Sequence, residues 1–363
     1  MKYLIVQDWK PTHGNHAGMV HMCQMLVDRY PDQYQMFVKE EPVCPPKRKG
    51  LLSIYDKACK VLRYDNDSNP VNHYLSDTFY KEYLELCKPM FEKLKDSDEI
   101  FLLEYLTPDA PQLKLAKYIR EHFPKVKIYA LSHLTVIDQK HYSLGRGNVA
   151  MKWTEPIDKV LTLGSSLSNY FQGCGINSDK ISTGFHYVDS SYYHKSEKLL
   201  NHRPLTIIAM GAMKRNYPLL SQIVKDCSQV HWIICRGRNK DVDSLFAETG
   251  NVDLKGFLSE DELRHQMDIS DISINIMEDT IGSNVVTTSM AMGLAMVASD
   301  VGSIRDYCTE ANTIFCENTP KSFIKAISTL VNDDEKVLKM KKASIELSKR
   351  LTIENINNWF NSL

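Results

Sequence analysis

The sequence predicts an α/β protein built from two parallel sheets. Short β-rich runs alternate with helical stretches, several of those runs are apolar throughout, and a polar break divides the chain near its middle. Tyr3–Gln7, Gln35–Val38, Glu99–Leu103, Val126–Leu131 and Lys159–Leu163 are the strand candidates of the first half. Leu205–Met210, Val230–Cys235, Asp271–Ile276, Ala295–Ala298 and Thr313–Phe315 are those of the second. A run without apolar–polar alternation fits a strand buried on both faces, as in parallel sheets. Helical patterns such as Ala110–His122 and Pro320–Asn332 lie between them, which is the rhythm of βαβ units.

Length and composition limit the alternatives. A chain of 363 residues suggests two domains. The polar stretch Tyr187–Arg203 is the expected break, with domains over 1–190 and 191–345. The tail 346–363 places Ile353, Ile356, Trp359 and Phe360 at helical spacing, and a docked helix is expected there, packing back on the first domain. Lys and Arg total 44 against 45 Asp and Glu, a net charge of −1, which argues against a nucleic-acid binder that works by bulk charge. No apolar run approaches the roughly 18 residues of a membrane span. The start, Met1-Lys2-Tyr3-Leu4-Ile5-Val6, reads as a strand and not a signal peptide, because Gln7 and Asp8 end the apolar stretch early. The nine cysteines are scattered without a C-x-x-C pair, so free thiols in a cytoplasmic protein are expected. No acidic cluster stands out as a metal site, and no cofactor is expected. Pro42–Gly50 must be a loop. Its basic run Pro45–Lys49 reads first as a solvated loop. A peripheral contact with anionic headgroups at the inner face of a membrane, or with a lipid diphosphate, is the alternative.

Asp271–Asp306 is the most informative stretch. It reads strand, polar loop, helix, strand, loop. Gly282 allows close backbone approach, and Ser283 or Asn284 can cap the helix that follows. Gly293 ends that helix. The free N–H groups at Ser283, Asn284 and Val285 would make an anion site. The plain alternative is an ordinary βαβ unit.

The stretch resembles the donor-binding signature of GT-B glycosyltransferases, family 4 in particular. The resemblance rests on Ser283-Asn284-Val285 followed by Met290-Ala291-Met292-Gly293-Leu294-Ala295-Met296-Val297-Ala298-Ser299-Asp300-Val301-Gly302. Further pieces match in order: Asp179–Asp189 resembles the segment closing the first domain, and Ala209–Leu220 the first turn of the donor domain. Leu254–Leu263, with Gly256 and Phe257, resembles the loop beside the nucleobase. The resemblance implies a GT-B fold, two Rossmann-like domains facing a cleft, with an acceptor domain first and a donor domain second. It implies a hexosyl- or related glycosyltransferase that uses a UDP- or GDP-type nucleotide sugar and retains configuration. A saccharide or lipid-linked acceptor in cell-surface glycan assembly goes with it. The chain departs from the family pattern in its Glu-x7-Glu motif: Thr280 and Thr288 stand where the two carboxylates do. A hydroxyl holds a ribose less firmly than a charged acceptor, about 1 against 2–3 kcal/mol. Glu278, or Asp279 beside it, could face the sugar in place of Thr280.

The remaining candidates flank this signature. Lys214 and Arg215 follow Gly211 on what reads as an exposed turn, and could neutralise a leaving diphosphate. Arg236, after the next strand, is a candidate for the nucleotide side or a plain turn residue. In the first half, Gly14 and Gly18 frame a loop that the resemblance places near the donor phosphates, with His16 toward the acceptor. His133 follows a strand at its carboxyl end, where open α/β sheets bind ligands, and the resemblance puts a His near the donor sugar there. Two other readings stay open. One is a non-catalytic GT-B subunit that binds a glycan or nucleotide sugar, marked by the lost Glu pair. The other is a sugar-nucleotide epimerase of the same fold.

Overall fold

The computed structural model describes residues 1–8, 15–40, 54, 70–105, 111–143, 149–196, 199, 201–211, 213–247 and 249–363. They form two compact units. The first lies within Met1–Thr12, Met19–Leu163 and Leu167–Gly184; the second takes in residues 15–18, Gly164–Ser166 and Phe185–Leu363. Gly14 and the loop Pro42–Gly50, with its basic run, fall outside the described residues.

The first unit is a parallel sheet of β1 (Lys2–Asp8), β2 (Tyr34–Glu40), β3 (Glu99–Tyr105), β4 (Lys127–Ser132), β5 (Lys159–Thr162) and β6 (Ile181–Thr183). Their order is β2-β1-β3-β4-β5-β6. The continuous apolar runs behave as expected, with Tyr3 to Val6 and Ile100 to Leu103 fully enclosed in the core.

The second unit holds β7 (Thr206–Met210), β8 (His231–Cys235), β9 (Val252–Lys255), β10 (Ile272–Asn275), β11 (Ala295–Ser299) and β12 (Thr313–Cys316). All pair in parallel, in the order β12-β11-β10-β7-β8-β9. The chain starts at β7, builds β8 and β9 on one side, then returns to place β10, β11 and β12 on the other. The order reverses between β7 and β10, and such a switch point opens a crevice at the strands' carboxyl ends. Ten of these twelve strands match the sequence reading. The two it passed over, Ile181–Thr183 and Val252–Lys255, are edge strands that are only partly buried and carry no apolar run.

A buried ion pair ties the second unit together. Asp271, just before β10, accepts from Lys341 Nζ at 2.6 Å, from the Thr206 backbone at 2.8 Å and from the His202 backbone at 3.1 Å. Both charged side chains are essentially sealed from solvent. Burial alone would raise the Asp271 pKa, but the Lys341 ammonium and the two backbone N–H groups hold it below the usual carboxylate range. The helix Ile353–Asn361 starts where the sequence placed it and buries Ile353, Ile356 and Phe360.

Candidate active site

The site is built where β7 and β10 end. After β7 the chain turns at Gly211, whose φ of +87° suits glycine. It then enters the helix Tyr217–Asp226, capped by the Asn216 side chain accepting from Leu219 N at 2.9 Å. After β10 a loop leads to the helix Asn284–Ala291, capped by Ser283. Backbone bonds join the two connections. Asn216 N donates to Ile276 O at 3.1 Å, and Glu278 N donates to Lys214 O at 3.0 Å. Arg215 and Met277 thereby pair as an antiparallel bridge. Lys214, Arg215 and Glu278 are held side by side as a result.

Arg215 corrects the sequence reading. It does not project from an exposed turn. Its Nε donates to Met210 O at 3.1 Å, and its guanidinium lies over Gly211. A Cβ on Gly211 would stand 3.2 Å from Arg215 Nε and Nη2 and equally close to Val285 Cγ2, so the glycine is what lets the cation reach the helix start. Burial lowers the Arg215 pKa to about 10, which still leaves it protonated at neutral pH. Its Nη1 is buried with no partner among the described residues, and so is Asn284 Oδ1 at the facing helix start. Buried polar atoms are almost always satisfied, so an unpaired donor and an unpaired acceptor fit a place that a polar ligand fills. Lys214 has a φ of +53°, a strained value for a side-chain-bearing residue. The cavity behind Arg215, about 20 Å³ and lined by Tyr217, Leu220 and Ile274, has room for a water and not for a nucleotide.

The loop from Glu278 to Ser283 is fixed from within. Asp279 is turned inward and accepts from Thr280 N at 2.8 Å, whereas Glu278 is exposed. Thr280 Oγ1 accepts from Gly282 N at 3.1 Å, and Thr280 O accepts from Ser303 N at 2.7 Å. Gly302 lets the neighbouring loop come this close, since a Cβ there would meet Thr280 O at 2.2 Å. Gly282, at φ +96°, lies against the ring of buried Tyr307, where a Cβ would sit 2.4 Å from the ring. Thr288 Oγ1 donates to Asn284 O at 2.6 Å, inside its own helix. Thr280 and Thr288 are thus both engaged locally.

The other candidates are spread further. Arg236 forms an ion pair with Asp243 and donates from Nη1 to Gly237 O at 2.9 Å, so its charge is already matched. Gly256 lies beside it, and exposed Phe257 carries the Arg238 guanidinium 4.7 Å above its ring. His16 belongs to the second unit. Its N–H and Nδ1 both meet Glu260, at 2.7 and 2.9 Å, and its ring stacks on Tyr192 at 3.8 Å. His133 lies in the first unit, past the end of β4. Desolvation by close packing lowers its pKa to about 4, against a hydrogen bond with the Leu103 backbone that raises it. The imidazole is therefore neutral at pH 7.

Sequence reasoning missed Asn216, Tyr307, Gly302 and Ser303. Asn216 before Tyr217-Pro218 is a readable helix start. The others act through tertiary contact and leave no local signal. Among the described residues, no three His, Cys, Asp or Glu side chains gather as a metal site, and no helix is long and apolar enough to cross a membrane.

Residues 204–333, which span this site, match the family model described as "Glycosyl transferases group 1". The match covers about a third of the chain. The whole chain has the two-domain α/β fold of GT-B glycosyltransferases. A glycosyltransferase from Rickettsia africae superposes with a TM-score of 0.67 at 13% identity, covering 99% of this chain and 97% of that one. Anabaena HepE in complex with UDP-glucose gives 0.65 at 13%, covering all of both chains. Sucrose-phosphate synthase from Thermosynechococcus elongatus gives 0.72 at 11%, covering 100% and 99%. At these identities the likeness is one of fold. No curated protein matches the chain by sequence. The group 1 domain match ends at residue 333, so Lys341, which pairs with Asp271, lies beyond it.

Proposed function

We propose that the protein transfers a sugar from a UDP- or GDP-type nucleotide sugar to a saccharide or lipid-linked acceptor. We read it as a retaining, metal-independent enzyme of cell-surface glycan assembly, working in the cytoplasm or at the inner face of a membrane. The observation that carries this is the convergence, at the switch point between β7 and β10, of Lys214, Arg215 and the capped helix start Ser283–Val285 around Gly211. Two cations and a helix N-terminus suit a diphosphate in the ground state. They suit it better as charge grows on the leaving group. Anabaena HepE, of the same fold, is known in complex with UDP-glucose, which supports this donor class.

In this reading the backbone N–H groups of Ser283, Asn284 and Val285 hold the diphosphate, and the helix shape matters more than those side chains. Arg215 Nη1 supplies a preset donor and Lys214 a second positive charge. Glu278, the outward carboxylate of its loop, faces the donor sugar. Phe257 and Arg238 offer a flat, polarisable edge near the nucleobase. A non-catalytic, nucleotide-sugar-binding protein is the second reading. The local engagement of Thr280 and Thr288 favours it, because neither supplies the charged ribose and sugar contacts of the family pattern.

A screen of UDP-, GDP- and dTDP-sugars by isothermal titration, followed by a donor hydrolysis assay, separates the two. Binding with turnover supports the enzyme. Binding without turnover supports the second reading, and no binding contradicts both. The transferase is expected to keep its rate in EDTA. Loss of activity in EDTA with recovery on adding manganese would contradict the metal-independent mechanism.

A further inference from the structure

Glu278 and Lys214 are held by their backbones, and something must hold those backbones. The residue between the Ile276 and Glu278 contacts is Met277, and its peptide groups are gripped from the far side. Met277 N donates to Ser299 Oγ at 2.8 Å. Ser299 Oγ donates to Asn318 Oδ1 at 2.5 Å. Asn318 Nδ2 donates back to Met277 O at 2.8 Å. The three bonds close a ring in which each partner is both donor and acceptor. Ser299 ends β11, Asn318 follows β12, and Ser299 is fully buried while Asn318 reaches in from an exposed position. On its near side the same stretch takes the Asn216 bond at Ile276 O and gives the Glu278 bond to Lys214 O.

We propose that Ser299 and Asn318 are positioning residues: by fixing the Met277 peptide they set where Glu278 and Lys214 stand. The inference rests on the donor-site reading above for its catalytic consequence, though not for its mechanics. Neither residue belongs to the cationic pocket or the helix start, so each acts only through Met277. Without Asn318 Nδ2 the Met277 carbonyl loses its partner. Without Ser299 Oγ a buried N–H is orphaned, and the loop is free to shift. Misplacement of a reacting group by about 1 Å is enough to cost a large factor in rate while ground-state binding changes little.

Amide hydrogen exchange on the unliganded full-length protein tests the mechanics. Asn318→Ala and Asn318→Asp should each speed exchange at Met277 and Glu278 about tenfold or more, with β8 amides unchanged. Asn318→Asp keeps the acceptor for Ser299 but puts an oxygen against the Met277 carbonyl, so it should behave like the alanine variant. Ser299→Ala should do the same. Should it fail to fold, the exposed Asn318 variants still decide the matter. On the donor the wild type accepts, kcat should fall about tenfold with KM near wild type. Unchanged exchange, or an unchanged kcat beside faster exchange, overturns the positioning role. If exchange rises but the wild type binds no nucleotide sugar, the donor-site reading fails, and the catalytic half of the inference fails with it.

Discussion

Lys214 and Arg215 are neighbours in sequence but should respond differently to substitution. Lys214 stands at the turn, so Lys214→Ala removes a charge and little packing. It should lower kcat roughly a hundredfold, the usual cost of a lost charge-assisted contact to a leaving group, and leave Tm unchanged. Arg215→Ala also removes the group lying over Gly211 and the bond to Met210 O. It should lower kcat comparably and depress Tm by several degrees; steady-state kinetics beside thermal melts distinguish the two. His133 gives a pH test. Its folded pKa of about 4 lies below the ordinary value of 6.5, so the unfolded chain takes up a proton first as pH falls. The stability this residue contributes is complete above pH 6.5 and is lost as pH falls toward 4. Nitrogen-15 NMR of the His133 ring should show no titration between pH 8 and 5.5, whereas a midpoint near 6.5 would contradict the packing described. The residue types at 133, 214 and 215 were legible as candidates. What the sequence could not convey was exposure, because whether Arg215 faces water depends on Gly211 and on Val285, seventy residues away in the chain.

Loops and helices carry the next set of consequences. Gly282→Ala places a methyl into the Tyr307 ring and forces alanine to φ +96°, so it should both destabilise the second unit and weaken nucleotide binding. Equal UDP affinity and Tm in this variant would show that the loop is not held as described. Lys341→Met leaves Asp271 charged and buried beneath β7 and β10. It should cost about 3–5 kcal/mol in urea unfolding. Strand and helix assignment was readable wherever apolar runs were continuous, as in Tyr3–Gln7 or Leu205–Met210, because burial on both faces writes itself into composition. It failed at Ile181–Thr183 and Val252–Lys255, where an edge strand needs only one covered face. Ser283 was readable as a cap from its place before an apolar helix. The Asn318–Ser299–Met277 ring was not, since it joins three strand ends that only the fold brings together.

At the scale of the molecule, a parallel sheet whose order reverses between β7 and β10 brings Lys214, Arg215 and the helix start Ser283–Val285 of the second unit to one place. The GT-B resemblance was legible because the pieces Ala209–Leu220, Leu254–Leu263 and Ser283–Gly302 occur in the right order. The donor sugar, base and acceptor were not legible, because they depend on loop contacts that spacing does not encode. The proposed function requires a nucleoside diphosphate at the Gly211 turn. Isothermal titration of UDP and GDP into the wild type and Lys214→Ala asks this directly. Saturable binding of one of them to the wild type is expected, weakened about tenfold or more by Lys214→Ala, since a charged hydrogen bond contributes roughly 1.5–3 kcal/mol. Absence of binding to the wild type, or equal affinity in both proteins, would contradict it.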